Sequence, residues 1–223
     1  MCEISERIAC RNPTPSGVGQ GKLFNKRKAA NSRFVTLSGG RISSLQGVVL
    51  QLTEKIPVLK EYRMDTPLGQ MIAVADEQVL YLLEFVDRRG LAAEMAKLQT
   101  KSTIISGKTD PIDSIENELH RYFDGLLTDF QTPVKTMGTL FQKEVWAELL
   151  KISVGKTCSY SDVALAIKKQ SAFRAVARAN SANQLVIIIP CHRVINKNGD
   201  LGGYSGGMAR KRWLLAHEEK MVR

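Results

Sequence analysis

The chain has 223 residues, enough for one good-sized domain or two small ones with a tail. Its apolar fraction of 43% is ordinary for a soluble globular protein, no apolar run is long enough to span a bilayer, and no export is expected, since the start "MCEISERIAC" has acids where a signal peptide needs a basic patch and an apolar stretch. Four scattered cysteines (Cys2, Cys10, Cys158 and Cys191) exclude a disulfide framework and fit a reducing compartment, so the expected location is cytoplasmic, or nuclear in a eukaryote.

The net charge of +10 is unevenly spread. Residues 1–57 hold nine bases and three acids, residues 58–134 eight bases and thirteen acids, and residues 135–223 fifteen bases and six acids. An acidic middle beside a basic final segment points that segment at a polyanion, with nucleic acid favoured.

Residues 1–57 are rich in glycine, proline, serine and base, and too poor in large apolar groups to offset their ordering entropy. They predict a disordered basic tail. Cys2 and Cys10 lack a histidine or further cysteines nearby, so no metal site is expected there. Within the tail, "ISSLQGVVLQLTEKI" has the spacing of a short helix or a strand.

Residues 58–134 predict a small α/β domain with a short antiparallel sheet. "EYRMDTPLGQMIAVADEQVLYLLEFV" holds two or three apolar runs separated by the turn signals "TPLG" and "ADEQ". "RGLAAEMAKLQTK" is an amphipathic helix. "DPIDSIENELHRYFDG" is a second one, opened by proline and acids, striped by Ile112, Ile115, Leu119 and Phe123, and closed by glycine. His120 on it reads as a surface or packing residue.

Residues 135–223 predict a mainly helical domain, making the whole chain α+β. In "GTLFQKEVWAELLKI", Phe141, Val145, Trp146, Leu149 and Leu150 share one helical stripe. Ser159 with Asp162 forms a capping box before "YSDVALAI". Lys168, Lys169 and Gln170 break that helix, and "SAFRAVARAN", headed by Ser171, restarts it. The pair has the outline of a helix-turn-helix, which a plain helical hairpin shares. The arginines favour DNA: Arg174 and Arg178 are i,i+4 neighbours among alanines, whose small side chains allow close approach to a groove.

"LVIIIP" is an apolar, β-branched run of strand length, ended by Pro190, with Cys191 just beyond its exit. A thiolate is the reactive form of cysteine, and an imidazole oriented by a carboxylate can take its proton. His192 adjoins Cys191, which favours a water-mediated link over direct contact, and Glu218 in "RKRWLLAHEE" is the candidate acid. Taken alone, a Cys-His pair is as readily two buried bystanders, and "GGYSGG" an ordinary glycine hairpin.

Together, "SYSDVA", "FRAVARAN", "IPCHRV", "GGYSGG" and "WLLAHE" closely resemble the O6-alkylguanine-DNA alkyltransferases, the methylated-DNA–protein-cysteine methyltransferases. The resemblance runs in order from about Phe141 to Glu218 and more weakly back to about Glu61; residues 1–57 lie outside it. It implies DNA repair by single-turnover transfer of an alkyl group from O6-alkylguanine, and also from O4-methylthymine, in double-stranded DNA. It implies Cys191 as the acceptor, His192 as its base through a bridging water, Glu218 as the acid that polarises His192, and Asn183 as the residue fixing the turn before the site. Tyr160 would hydrogen-bond the flipped base and crowd the phosphate, and Arg174 would fill the gap in the stack. Tyr204 and Ser205 would wall and hydrogen-bond guanine, and the carbonyls of Val194 and Cys191 would accept its exocyclic amine.

Arg193 is expected to pair inside the domain. No cofactor and no metal are implied, the chain is expected to act as a monomer away from membranes, and the tail lacks the four-cysteine cluster of phosphotriester repair. Asn180 and Ser181 depart from the more apolar or glycine-containing stretch of the family, which puts DNA contacts after the second helix in doubt. Two other classes stay open. A non-catalytic reader of alkylated bases is opposed by the presence of Cys191. A cysteine hydrolase would explain neither the arginine-bearing helix nor "GGYSGG".

Overall fold

Two turns set the register of the first three strands. Thr66 accepts from the Gly69 amide through its carbonyl at 2.9 Å, and Asp76 Oδ1 accepts from the amides of Gln78 and Val79 at 2.8 Å each. These are the "TPLG" and "ADEQ" signals, and they separate β1 (Val58–Met64), β2 (Met71–Ala75) and β3 (Leu80–Phe85), paired antiparallel in sequence order. The computed structural model describes residues 56–223. All of the predicted tail except Ile56 and Pro57, including Cys2, Cys10 and nearly all of "ISSLQGVVLQLTEKI", lies outside the described residues.

The sheet is mixed rather than purely antiparallel. After α1 (Leu91–Gln99), a fourth strand β4 (Thr103–Ser106) joins the free edge of β1 in parallel, giving the order β3-β2-β1-β4. Its four residues, all exposed except the half-buried Ile104, carry no alternation strong enough to be read as a strand; the crossover through α1 places them. One face of the sheet (Leu59, Ile72, Val74, Leu82) packs with Leu98 of α1. The other face carries Met71, Ala73, Leu83 and Phe85 into the main core.

Helix α2 (Asp110–Phe123) buries Ile112, Ile115 and Leu119 as expected, and Gly125 follows it with φ +76°. Its fourth anchor is Tyr122, fully buried, while Phe123 is half-buried and His120 is exposed. Helix α3 (Leu140–Leu149) opens on a capping box between Thr139 and Gln142 and buries Val145, Trp146 and Leu149. Leu150, placed on the same stripe by its spacing, is instead 55% exposed, because the helix ends at Leu149 and the chain turns there.

A two-residue strand β5 (Cys158–Ser159) leads into α4 (Tyr160–Ala166), whose Ser159–Asp162 capping box forms as predicted. The Lys168 break adopts φ +58° and a short 3-10 turn follows, so α5 (Phe173–Ser181) begins two residues after Ser171 and lacks a side-chain cap. The indole Nε1 of Trp146 donates to the Ala179 carbonyl at 2.9 Å, tying α5 to α3. Strand β6 (Val194–Ile195) pairs with β5 in parallel, and α6 (Met208–Met221) closes the chain. Among the described residues, no helix is long and apolar enough to cross a membrane.

"LVIIIP" is not a strand. It touches β3 through two backbone bonds, Leu83 N to Gln184 O at 2.8 Å and Val186 N to Leu83 O at 3.0 Å, and then folds into a turn. The Ile189 amide donates to Leu185 O at 2.9 Å, and Ile187 sits at φ +72°, a left-handed conformation that a β-branched residue avoids unless its surroundings hold it. The run is apolar because the core surrounds it, a pattern that a buried strand and a buried turn share.

Candidate active site

Asn183 holds that turn at both ends. Its Oδ1 accepts from the Leu185 amide at 3.0 Å, and its Nδ2 donates to Ile189 O at 2.9 Å and to the Cys191 sulfur at 3.2 Å. The chain leaves Pro190 as one turn of 3-10 helix, Cys191–Arg193, whose three side chains are all buried. Cys191 Sγ is thus fixed by the amide that shapes the turn delivering it. Burial pushes the Cys191 thiol up to about 11, against the pull of the Asn183 hydrogen bond, so the resting group is the thiol.

The next two residues share one carboxylate. His192 Nε2 lies 2.8 Å from Glu218 Oε1, and Arg193 spans both oxygens, with Nε 2.8 Å from Oε2 and Nη2 2.9 Å from Oε1. The Tyr122 hydroxyl adds a bond to Oε1 at 2.8 Å. Burial opposes the charge on Glu218, but the bonds from His192 and Arg193 outweigh it and hold the carboxyl well below the usual range. An ionised Glu218 accepts only, so the imidazole proton sits on Nε2 and the Nδ1 lone pair is free. His192 Nδ1 is buried and has no hydrogen-bond partner among the described residues. Burial also holds the imidazole below its usual value, in its neutral, basic form. Arg193 pairs internally, as the sequence indicated.

The glycine-rich loop precedes α6, and burial followed by the charge of a Cys191 thiolate pushes its Tyr204 phenol up. Tyr204 Oη and Ser205 Oγ are buried and unpartnered among the described residues. Both hydroxyls therefore keep unused hydrogen-bonding capacity. The Val194 carbonyl accepts from Lys211 Nζ at 2.6 Å, and the Cys191 carbonyl accepts twice, from Asn180 Nδ2 at 3.1 Å and from the Val194 amide. Both lone pairs of the Cys191 carbonyl are thus engaged.

Tyr160, the first residue of α4, is half-buried, and burial followed by the charge of a Cys191 thiolate pushes its phenol up. It lines a cavity of about 330 Å³ together with Phe173, Arg174 and Ala177 of α5 and with Asn196 and Gly203. Arg174 and Arg178 are exposed on α5, and only Arg174 lines the cavity. The structure therefore gathers Cys191, His192, Glu218 and Asn183 into one buried cluster, with Tyr160 and Arg174 together at the cavity.

Four contributors escaped the sequence. Lys211, one of three consecutive bases in "RKR", is buried, and its ammonium also donates to the carbonyls of Gly203, at 3.3 Å, and Leu201. Burial lowers it to about 8. Tyr122 adjoins the position that the helical stripe favoured. Asn180, expected to alter DNA contacts, lies inside α5 and faces the Cys191 carbonyl, while Ser181 stays exposed. Glu84 of β3 is fully buried beside Arg88, at 3.4 Å.

The family description "6-O-methylguanine DNA methyltransferase, DNA binding domain" matches residues 140–220. A methylated-DNA–protein-cysteine methyltransferase of Shigella flexneri is 38% identical over 166 residues, covering 72% of this chain and 95% of the relative. An inducible methylated-DNA–protein-cysteine methyltransferase of Bacillus subtilis (strain 168) is 41% identical over 127 residues, covering 57% of this chain and 71% of the relative. The crystal structure of Mycobacterium tuberculosis OGT in complex with DNA matches with a TM-score of 0.64 at 35% identity, over 74% of this chain and 94% of that one.

Proposed function

Since this chain belongs to the family of methylated-DNA–protein-cysteine methyltransferases, we propose that it repairs duplex DNA by taking the alkyl group of O6-alkylguanine, and of O4-methylthymine, onto Cys191 in a single turnover. The observation that carries this reading is the placement of Cys191. Its sulfur is 3.2 Å from the Asn183 amide, and the adjoining His192 presents a free Nδ1 backed by Glu218.

An alkyl group on guanine O6 lies inside the duplex, so the nucleotide must first rotate out, at a cost of a few kcal/mol. Arg174, exposed at the cavity, fills the gap and offsets part of that cost. The base then enters beneath the loop, where Ser205 and Tyr204 border it and the Val194 carbonyl receives its exocyclic amine.

The Cys191 proton passes through solvent to His192 Nδ1, giving an imidazolium whose charge Glu218 balances. The sulfur attacks the alkyl carbon, the S–C bond forms, and the C–O6 bond breaks with its electron pair going to guanine. The Ser205 amide and the Tyr160 hydroxyl stabilise the developing anion, and the proton held on the His192 imidazolium returns through solvent to the base, leaving neutral guanine in the strand and a neutral imidazole. A thioether has no good leaving group, so Cys191 stays alkylated and each chain acts once. One chain contributes all of these residues, which supports a monomer acting alone.

The test is intact-protein mass after incubation with duplex DNA containing O6-methylguanine, with O4-methylthymine in parallel. One methyl group in place of the thiol hydrogen is expected, absent in Cys191→Ala. Repeated turnover would instead indicate a hydrolase, and tight binding without a mass change a non-catalytic reader.

A further inference from the structure

Phe173 is the first residue of α5 and 44% of it is exposed, although the core beneath that helix is closed by Val176 and Ala179. Its ring lies 5.6 Å from the Arg174 guanidinium, and both side chains line the cavity that Tyr160 also borders. The surroundings are basic: α5 holds Arg174 and Arg178 and no acid, and Lys168 precedes it. A large ring left in water at the rim of a cationic cavity is poor design for a packing residue. It suits a side chain that leaves water when a polyanion with flat apolar faces docks there, because every nucleobase presents a π-face and aromatic wedges enter base steps.

We propose that Phe173 is a second wedge, a specificity-determining residue that stacks on the base next to the extruded nucleotide while Arg174 occupies the gap itself. This rests on the alkyl-transfer reading above. Two adjacent side chains at one helix start divide the work: the guanidinium supplies charge and hydrogen bonds inside the vacated step, and the ring supplies the stacking that the neighbouring base loses. The benefit falls on duplex substrates, where a stack has to be opened, and is small for a lesion that is already unstacked.

The experiment compares single-turnover methyl transfer by the full chain and by Phe173→Ala on two DNAs. One holds O6-methylguanine paired in a duplex, the other holds it unpaired in a single-base bulge. A duplex carrying 2-aminopurine next to the lesion reports stacking by its fluorescence. The expected result is a loss of roughly 5- to 150-fold on the paired lesion, the range that base–aromatic stacking supports, with a much smaller loss on the bulge. Phe173→Trp restores the paired rate, Phe173→Leu does so only in part, and the 2-aminopurine change on binding disappears in Phe173→Ala.

Equal rates for Phe173→Ala and the unaltered chain on the paired lesion would overturn the proposal. So would equal losses on both DNAs, which would make Phe173 a support for the site alone. If the unaltered chain itself gains no methyl group on either DNA, it is the alkyl-transfer reading that fails.

Discussion

Glu218 Oε1 stands 2.8 Å from His192 Nε2, and both side chains are fully buried. The same carboxylate carries the Arg193 fork, so one residue at the end of the last helix neutralises one buried cation and orients one buried base. Removing its charge leaves Arg193 uncompensated. Glu218→Gln is therefore expected to lower stability by about 3–5 kcal/mol, the usual cost of breaking a buried pair. Denaturant unfolding of the two proteins measures it.

The pH dependence follows with a definite sign. The Glu218 carboxyl is depressed from its ordinary value of 4.5, so its contribution to stability is complete above that value and is lost as pH falls towards the lower folded value. Thermal unfolding below about pH 4.5 should show a steep loss that Glu218→Gln lacks. A profile unchanged by the substitution would separate the acid sensitivity from this pair.

His192→Asn keeps a polar side chain on the Glu218 carboxylate and removes the base at Nδ1. General-base assistance contributes roughly 10²- to 10⁴-fold, so methyl transfer should slow within that range while binding to the lesion-containing duplex is kept. Raising the pH should recover part of the rate, because the Cys191 thiol, pushed up to about 11, ionises further without help.

Glu84 behaves oppositely to Glu218. Burial dominates over the Arg88 guanidinium at 3.4 Å and pushes the carboxyl up to about 8. A folded value above the unfolded one gives stability that is complete below 4.5 and is lost as pH rises through about 8. The fall in melting temperature between about pH 5 and pH 9 should be smaller in Glu84→Gln than in the unaltered protein.

Gly206 has no room for a side chain. A Cβ there would lie 2.8 Å from Tyr204 Cε1 and 3.0 Å from Phe85 Cδ2, while the Gly206 carbonyl holds Arg210 Nη1 at 2.9 Å. Gly206→Ala should displace Tyr204 and slow transfer by up to about 10²-fold, the scale of an ångström's misplacement, with DNA affinity kept because α5 is untouched. Single-turnover rates and a binding titration distinguish the two.

Local chemistry made much of this protein legible. The turns at Thr66 and Asp76, the capping box at Ser159 and the break at Lys168 are decided by neighbours within a few residues, and they form as read. Arg174 could be placed on the exposed face of its helix because helical periodicity is a local rule. The parallel strand Thr103–Ser106 was not legible, since its partner lies more than forty residues earlier and its own pattern is weak.

The sequence by itself determined the make-up of the candidate site: Cys191 beside His192, one late carboxylate and a loop of glycines. Only the tertiary structure decided their relations. Apolar periodicity reports burial and is silent on backbone path, so "LVIIIP" read as a strand although the core and Asn183 bend it into a turn with Ile187 at φ +72°. Charge in a sequence likewise says nothing of solvent. Lys211 enters the sequence reading only as one base of the final segment, and it is the fold that buries it against the Val194 carbonyl, where three backbone oxygens take the place of water.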